Sequence, residues 1–245
     1  MSPTSLSHQV RFPDVSNGGL SQDEEWCEVL DDGHWRRIRF HDYGEIYSIP
    51  GLYERIFYDA LKCSSPQAVI GLLAEQLRAG ELLCALDVGA GNGMVGDALA
   101  DRGFGDIAGV DISPEAGDAV DRDRPGVYGD YYVCDLLNPP AGIRYELEHA
   151  HFGAMTSVAA LGFGDVPPEV FGAAFELIGD GGWVAFTIKE DFLDDADRSG
   201  FADLIGDLLA SGAIEEKGRR RYRHRLDVRG NALHYVAIAG VKHSG

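Results

Sequence analysis

At 245 residues, with 45% hydrophobic and 25% charged residues, the chain suits one α/β domain with an appended segment and a sizeable core. Its formal net charge of -19 at pH 7 repels phosphate backbones and anionic headgroups, which excludes generic nucleic-acid binding and membrane docking. The four cysteines, Cys27, Cys63, Cys84 and Cys134, form no C-x-x-C pair and have no histidine at zinc spacing, so no metal site is expected.

Reduced thiols, a polar N-terminus and no apolar run of roughly 18 residues lead us to expect a cytoplasmic protein, monomer or homodimer. Residues 1–22 are rich in Ser, Pro, Asn and Gly and are expected to be disordered. Trp26–Leu30 and His34–Phe40 flank Asp31-Asp32-Gly33 and read as a hairpin. Gly51–Leu61 reads as a helix with Leu52, Ile56 and Phe57 on one face. Ser64-Ser65-Pro66 caps a second helix that should run to Gly80. Residues 23–63 thus form an N-terminal lid segment ahead of a domain spanning 64–245.

The pattern then turns regular. Strands are expected at Leu82–Val88, Ile107–Asp111, Tyr131–Asp135, Phe152–Ala159 and Trp183–Ile188, and helices at Gly93–Arg102, Pro114–Asp123, Pro168–Ile178 and Ala196–Ser211. Alternation of this kind gives a Rossmann-like, doubly wound, mostly parallel sheet, here of seven strands. Arg221–Val228 and Leu233–Val241 flank Arg229-Gly230-Asn231-Ala232 and close the chain as an antiparallel hairpin.

Leu86-Asp87-Val88-Gly89-Ala90-Gly91-Asn92-Gly93 places D-x-G-x-G-x-G where a buried strand meets a helix. Glycines let the backbone turn sharply and a ligand approach, and the helix N-terminus suits a carboxylate. Gly91-x-Gly93-x-x-Gly96 also matches the dinucleotide fingerprint. Three acids separate the two readings. Asp87, inside the first strand end, can answer an ammonium group. Asp111, ending the second strand, can take two ribose hydroxyls, and Asp135, ending the third, can accept from an adenine amino group. All lie at carboxyl ends, where open α/β sheets bind ligands.

The segments LDVGAGNG, GVDISP, YVCDLLN and LIGDGGWVAFTIK, with the terminal hairpin, resemble the successive motifs of class I methyltransferases over about residues 64–242. YGEIYSIPGLYERIFYD is similar, more loosely, to their small-molecule, Williams–Beuren-region-like branch. The resemblance implies S-adenosyl-L-methionine as cofactor. It implies that Gly89, Ala90, Gly91 and Gly93 line the methionine and ribose, that Ile112 and Ser113 flank the adenine, and that Leu136 packs on it. Val158 and Ala159, with Ala160, should lie beside the transferable methyl.

Asn138-Pro139-Pro140 resembles the motif of base N-methyltransferases, but it follows the wrong strand and Ala141 replaces the aromatic, so it reads as a turn. Val158–Gly162 contains no acid, which disfavours a divalent-metal site. The basic run Arg219–Arg225 reads as an outer strand whose charges block edge pairing, with an anion or RNA patch as the alternative.

His41 and Tyr43, and Glu190 with Asp191, are the candidates for a general base. Tyr43, Tyr47, Tyr53 and Tyr58 are expected to contact the pocket, because aromatic faces attract a sulfonium and their hydroxyls serve a small acceptor. The leading expectation is methyl transfer to an O or N nucleophile of a small-molecule acceptor. A nicotinamide-dependent oxidoreductase and a non-methylating S-adenosylmethionine-binding protein are the alternatives.

Overall fold

A computed structural model of the chain describes residues 8–14, 20–78, 83–194 and 198–244. Three short strands open it: β1 (Val10–Arg11), β2 (Trp26–Asp31) and β3 (His34–Arg39) form an antiparallel sheet in that order. The hairpin lies where expected, because Asp32 and Gly33 both adopt positive φ (45° and 80°), as tight two-residue turns require. Val10 and Arg11 fall in the stretch expected to lack order, yet they pair with Val29 and Glu28. Two residues carry too little periodicity to be legible; the neighbouring hairpin edge orders them.

Next come α1 (Tyr43–Ser48) and a wide-turned helix over Glu54–Ala60, in which Leu61 N–H reaches back five residues to Ile56 C=O at 3.0 Å. Cys27, Val29, Ile38, Phe40, Ile46, Leu52, Ile56 and Phe57 pack these pieces into a core of their own. α2 (Ser65–Ala74) ends before the expected stop, and Gly80 lies outside the described residues. Its N-cap hydroxyl is used elsewhere: Ser64 Oγ donates to Arg223 C=O at 2.7 Å, tying the helix to the far end of the chain.

The main sheet follows. β4 (Ala85–Val88), α3 (Met94–Ala100), β5 (Ile107–Asp111), α4 (Pro114–Asp123) and β6 (Asp130–Val133) form one half. α5 (Ala141–His149), β7 (Phe152–Ser157), α6 (Pro168–Glu176) and β8 (Ile178–Lys189) lead into the other. α7 (Phe201–Ala210), β9 (Ile214–Leu226) and β10 (Ala232–Lys242) complete the chain. The strand order is β6-β5-β4-β7-β8-β10-β9, with β4 to β8 parallel and β10 antiparallel to both neighbours. α5 was not expected, since its residues bury only Leu147 and leave almost no apolar stripe to read.

Strand alternation sorts the core into two layers. Leu86, Val88, Met155, Val184 and Phe186 face α6 and α7 residues such as Phe171 and Phe201. Ala85, Ala154, Ala185, Ala237 and Ala239 face Val69, Leu72 and Leu73 of α2, where the small side chains let the helix sit close. Strand order reverses across β4, between β5 and β7, so a crevice opens beyond their carboxyl ends. Among the described residues no helix is long and apolar enough to cross a membrane.

Candidate active site

That crevice is a cleft of ≈ 510 Å³. The main sheet contributes Val88, Gly89, Asp111, Ile112, Ser113, Asp135, Leu136, Val158 and Ala159, and the N-terminal segment adds Tyr43, Tyr47 and Tyr53. Gly89 has φ +70, and a Cβ there would stand 2.9 Å from Ala160 Cβ. Gly91 has φ +54, and a Cβ would collide with the Tyr47 hydroxyl. The loop therefore needs glycine both for its turn and for the tyrosine closed against it. Gly93, also at positive φ, starts α3 and packs against Arg124 and Tyr128; it lines neither this cleft nor the pocket behind it.

The three acids differ in their surroundings. Asp111 accepts from Gly91 N–H and Ser113 N–H, both at 2.9 Å, so it ties the glycine loop to the second strand. Burial raises its carboxyl pKa above the ordinary value. Asp135 is exposed, and its oxygens accept from Leu137 N–H and Asn138 Nδ2, the latter contact holding its pKa below the ordinary value. Exposed Ile112 and Leu137 and buried Leu136 form an apolar rim around it.

Asp87 is 1% exposed and absent from the cleft wall. Tyr128 Oη and Thr156 Oγ1 donate to its two oxygens at 2.7 and 2.8 Å, and burial pushes its pKa up to about 6. It ties β4 to β7 and to the turn before β6 from below the loop, where an ammonium contact had been expected.

A family model described as a methyltransferase domain matches residues 63–230. The chain belongs to this methyltransferase family. It is an S-adenosylmethionine-dependent enzyme, which decides between the two readings of the glycine loop. No curated protein matches the sequence.

Solved structures share the fold at low identity. The NodS N-methyltransferase of Bradyrhizobium japonicum, solved with S-adenosyl-L-homocysteine, superposes with a TM-score of 0.58 at 11% identity over 84% of this chain and 98% of its own. A putative RNA methyltransferase of Pyrococcus horikoshii gives 0.55 at 13% identity, over 73% and 83%.

Behind the cleft, the methyltransferase holds a smaller pocket of ≈ 60 Å³. The two share Tyr43, Tyr47, Tyr53, Gly89, Val158, Ala159 and Asp165 as a common wall. Ala90, Gly91 and Tyr58 line only the inner one. His41, just before α1, reaches across to the loop after β7, and its Nδ1 meets Asp165 Oδ2 at 3.0 Å. Its ring packs against Tyr43 and Phe163, with centroids 5.7 and 5.5 Å away.

Asp165 escaped the sequence reading, which stopped at Gly162. The nearest signal was the run Gly162-Phe163-Gly164-Asp165, in which Gly162, Phe163 and Gly164 all take positive φ (97°, 53° and 88°). Ala159 also sits at φ 57, held by a hydrogen bond from its N–H to Thr187 Oγ1 at 2.7 Å.

Glu190 is not part of this constellation. Its carboxylate pairs with Arg221 Nε at 2.9 Å, and it lines neither cavity. The cause is the antiparallel hairpin: β9 is the outermost strand of the sheet, so its arginines reach the acids that fringe it. Arg219 pairs with Glu216 and Arg220 with Glu75 in the same way, in keeping with a charged edge. Among the described residues, no cluster of three His, Cys, Asp or Glu side chains is placed to hold a metal ion.

Proposed function

We propose that the methyltransferase transfers a methyl group to an oxygen or nitrogen of a small-molecule acceptor, with His41 as general base and Asp165 as its positioning partner. The observation that carries this is the His41–Asp165 pair at the junction of the cleft and the inner pocket.

The cleft fits S-adenosylmethionine: its volume is that of a cofactor site, its glycine loop has no room for a Cβ, and Asp111 stands at the second strand end. Gly89, Ala90 and Gly91 would face the methionine part and Asp111 the ribose. Ile112, Ser113, Asp135 and Leu136 would enclose the adenine, and Val158 and Ala159 the reacting end. Tyr47 and Tyr53 would cover it. When bound, S-adenosylmethionine supplies a methyl carbon activated by its sulfonium, and the acceptor lone pair bonds to that carbon as the C–S pair leaves on sulfur.

The protein's own residues supply alignment, dryness and proton transfer. His41 Nδ1–H donates to Asp165, which leaves Nε2 to accept the acceptor proton and lets the carboxylate steady the imidazolium formed. Tyr43, Tyr53, Phe57 and Tyr58 wall the pocket with rings that exclude water. Residues 23–63 act as the lid of the domain formed by 64–245.

The test is incubation with methyl-labelled S-adenosylmethionine and a panel of phenols, alcohols and amines, with RNA and casein as controls. Labelled small-molecule product and S-adenosylhomocysteine are expected. Label confined to RNA or casein would overturn the reading.

A further inference from the structure

The loop that carries Asp165 leaves β7 through a strained residue. Ala159 has φ 57, a left-handed conformation that a Cβ makes costly, and it belongs to the wall shared by the cleft and the inner pocket. Beyond it the chain closes on itself, because Val166 N–H donates to Ala160 C=O at 3.0 Å. That closed loop rests on the glycine turn: a Cβ at Gly89 would stand 2.9 Å from Ala160 Cβ and 3.2 Å from Val166 Cγ2. It also brings Asp165 to His41. The turn at Ala159 is thus the root of the whole wall.

What holds this turn lies on the neighbouring strand. Ala159 N–H donates to Thr187 Oγ1 at 2.7 Å. A backbone N–H can only donate, so Thr187 is the acceptor whichever way its own hydrogen points. Thr187 is 0% exposed and lines neither cavity. It sits inside β8, paired with β7 on one side and opposite Ala237 of β10 on the other. Its branched side chain has few rotamers to choose from, which makes it a firm anchor.

A strained backbone persists only where its surroundings enforce it, and such strain gathers at functional walls. We propose, on the reading that Ala159 encloses the reacting end of S-adenosylmethionine, that Thr187 is a positioning residue for methyl transfer: it holds Ala159 left-handed and so fixes the wall against which that end rests. Without the hydroxyl, Ala159 relaxes toward the ordinary backbone region, and the binding-competent wall is populated about one time in ten.

The experiment measures S-adenosylmethionine and adenosine binding to the full chain by calorimetry, adenosine lacking the reacting end. Thr187→Val keeps the shape and removes the hydroxyl. It should bind S-adenosylmethionine about 10-fold more weakly with adenosine affinity unchanged. Thr187→Ser, which keeps the hydroxyl, should bind both as wild type does. Adding Ala159→Gly to Thr187→Val should restore affinity to within about 3-fold, since glycine takes positive φ freely. A single cooperative thermal transition reports that each variant is folded.

Unchanged S-adenosylmethionine binding by Thr187→Val, an equal loss for adenosine, or no rescue by Ala159→Gly overturns the proposal. Ala159→Leu tests the placement of Ala159 separately, and should weaken S-adenosylmethionine binding by about 10-fold while adenosine binds normally. A loss in Ala159→Leu without one in Thr187→Val overturns the role of Thr187 alone. Normal S-adenosylmethionine binding by Ala159→Leu removes Ala159 from the reacting end, and the role of Thr187 falls with it.

Discussion

Glu25 and Arg225, 200 positions apart in the chain, meet at 2.6 Å with side chains only 2% and 4% exposed. The other Glu25 oxygen accepts Val228 N–H at 2.8 Å, and the Arg225 guanidinium lies 5.5 Å above the Phe40 ring. Leu226 N–H also donates to Leu61 C=O at 2.7 Å, so the N-terminal segment is fastened to β9 at more than one point.

Removing one partner leaves a buried charge unanswered. Glu25→Ala should cost about 3–5 kcal/mol in urea denaturation, whereas replacing both partners with Leu and Met should recover much of it. A single-variant loss under about 1 kcal/mol would mean that the pair is not buried in solution.

Gly91→Ala should abolish useful cofactor binding, with S-adenosylhomocysteine affinity down about 10-fold or more in calorimetry. A Cβ at φ +54 is strained and meets the Tyr47 hydroxyl. Gly103→Ala is the control, since Gly103 has a similar φ of +83 with open space around it. It should cost about 1–2 kcal/mol of stability and leave affinity alone.

Asp111→Ala should weaken S-adenosylhomocysteine binding by about 1–3 kcal/mol, because the ribose loses a charged acceptor and Gly91 N–H loses its tether. Normal binding by this variant would remove Asp111 from the cofactor site.

His41→Ala should lower kcat by about 10²–10⁴-fold while the affinity for S-adenosylhomocysteine stays unchanged. Asp165→Asn should reduce kcat less, since the imidazole keeps a partner at the same place without its charge. Single-turnover measurement with an identified acceptor separates these effects from binding.

Asp87 makes a pH prediction. Its pKa rises from 3.8 to about 6 in the folded protein, chiefly because burial disfavours the carboxylate. The protonated form is therefore favoured by folding, so its stabilising contribution is complete below the unfolded value and disappears as pH climbs through the folded one. Relative to Asp87→Asn, wild type should lose up to about 3 kcal/mol of stability between about pH 4 and about pH 7. Parallel urea titrations of the two proteins check this, and a difference that grows in favour of wild type with pH would contradict it.

The division between what was legible and what was not follows from range. Local physics is written in consecutive residues: buried strands as apolar runs, turns as Asp32-Gly33, and the glycine loop as a spacing that only small residues tolerate. The parallel sheet, Asp111 at the end of β5 and Asp135 two residues past β6 could therefore be read directly, and both acids line the cleft. Strand periodicity also foresaw Asp87, but not that Tyr128 and Thr156 would enclose it, because hydroxyls 41 and 69 positions away leave no mark beside it.

The same limit governs the rest of the site. His41 could be named as a base, yet its partner Asp165 lies 124 positions on, and only folding brings the loop after β7 against α1. Glu190 looked equally suitable at a strand end, until the terminal hairpin set Arg221 beside it. Gln22 sits at the edge of a stretch whose composition spoke for disorder, yet its side-chain amide meets Tyr235 Oη, 213 positions later, at 2.7 Å. By itself the sequence determined the fold class and the cofactor chemistry. Tertiary structure decided which polar groups face one another, because such pairings depend on distances that no local pattern encodes.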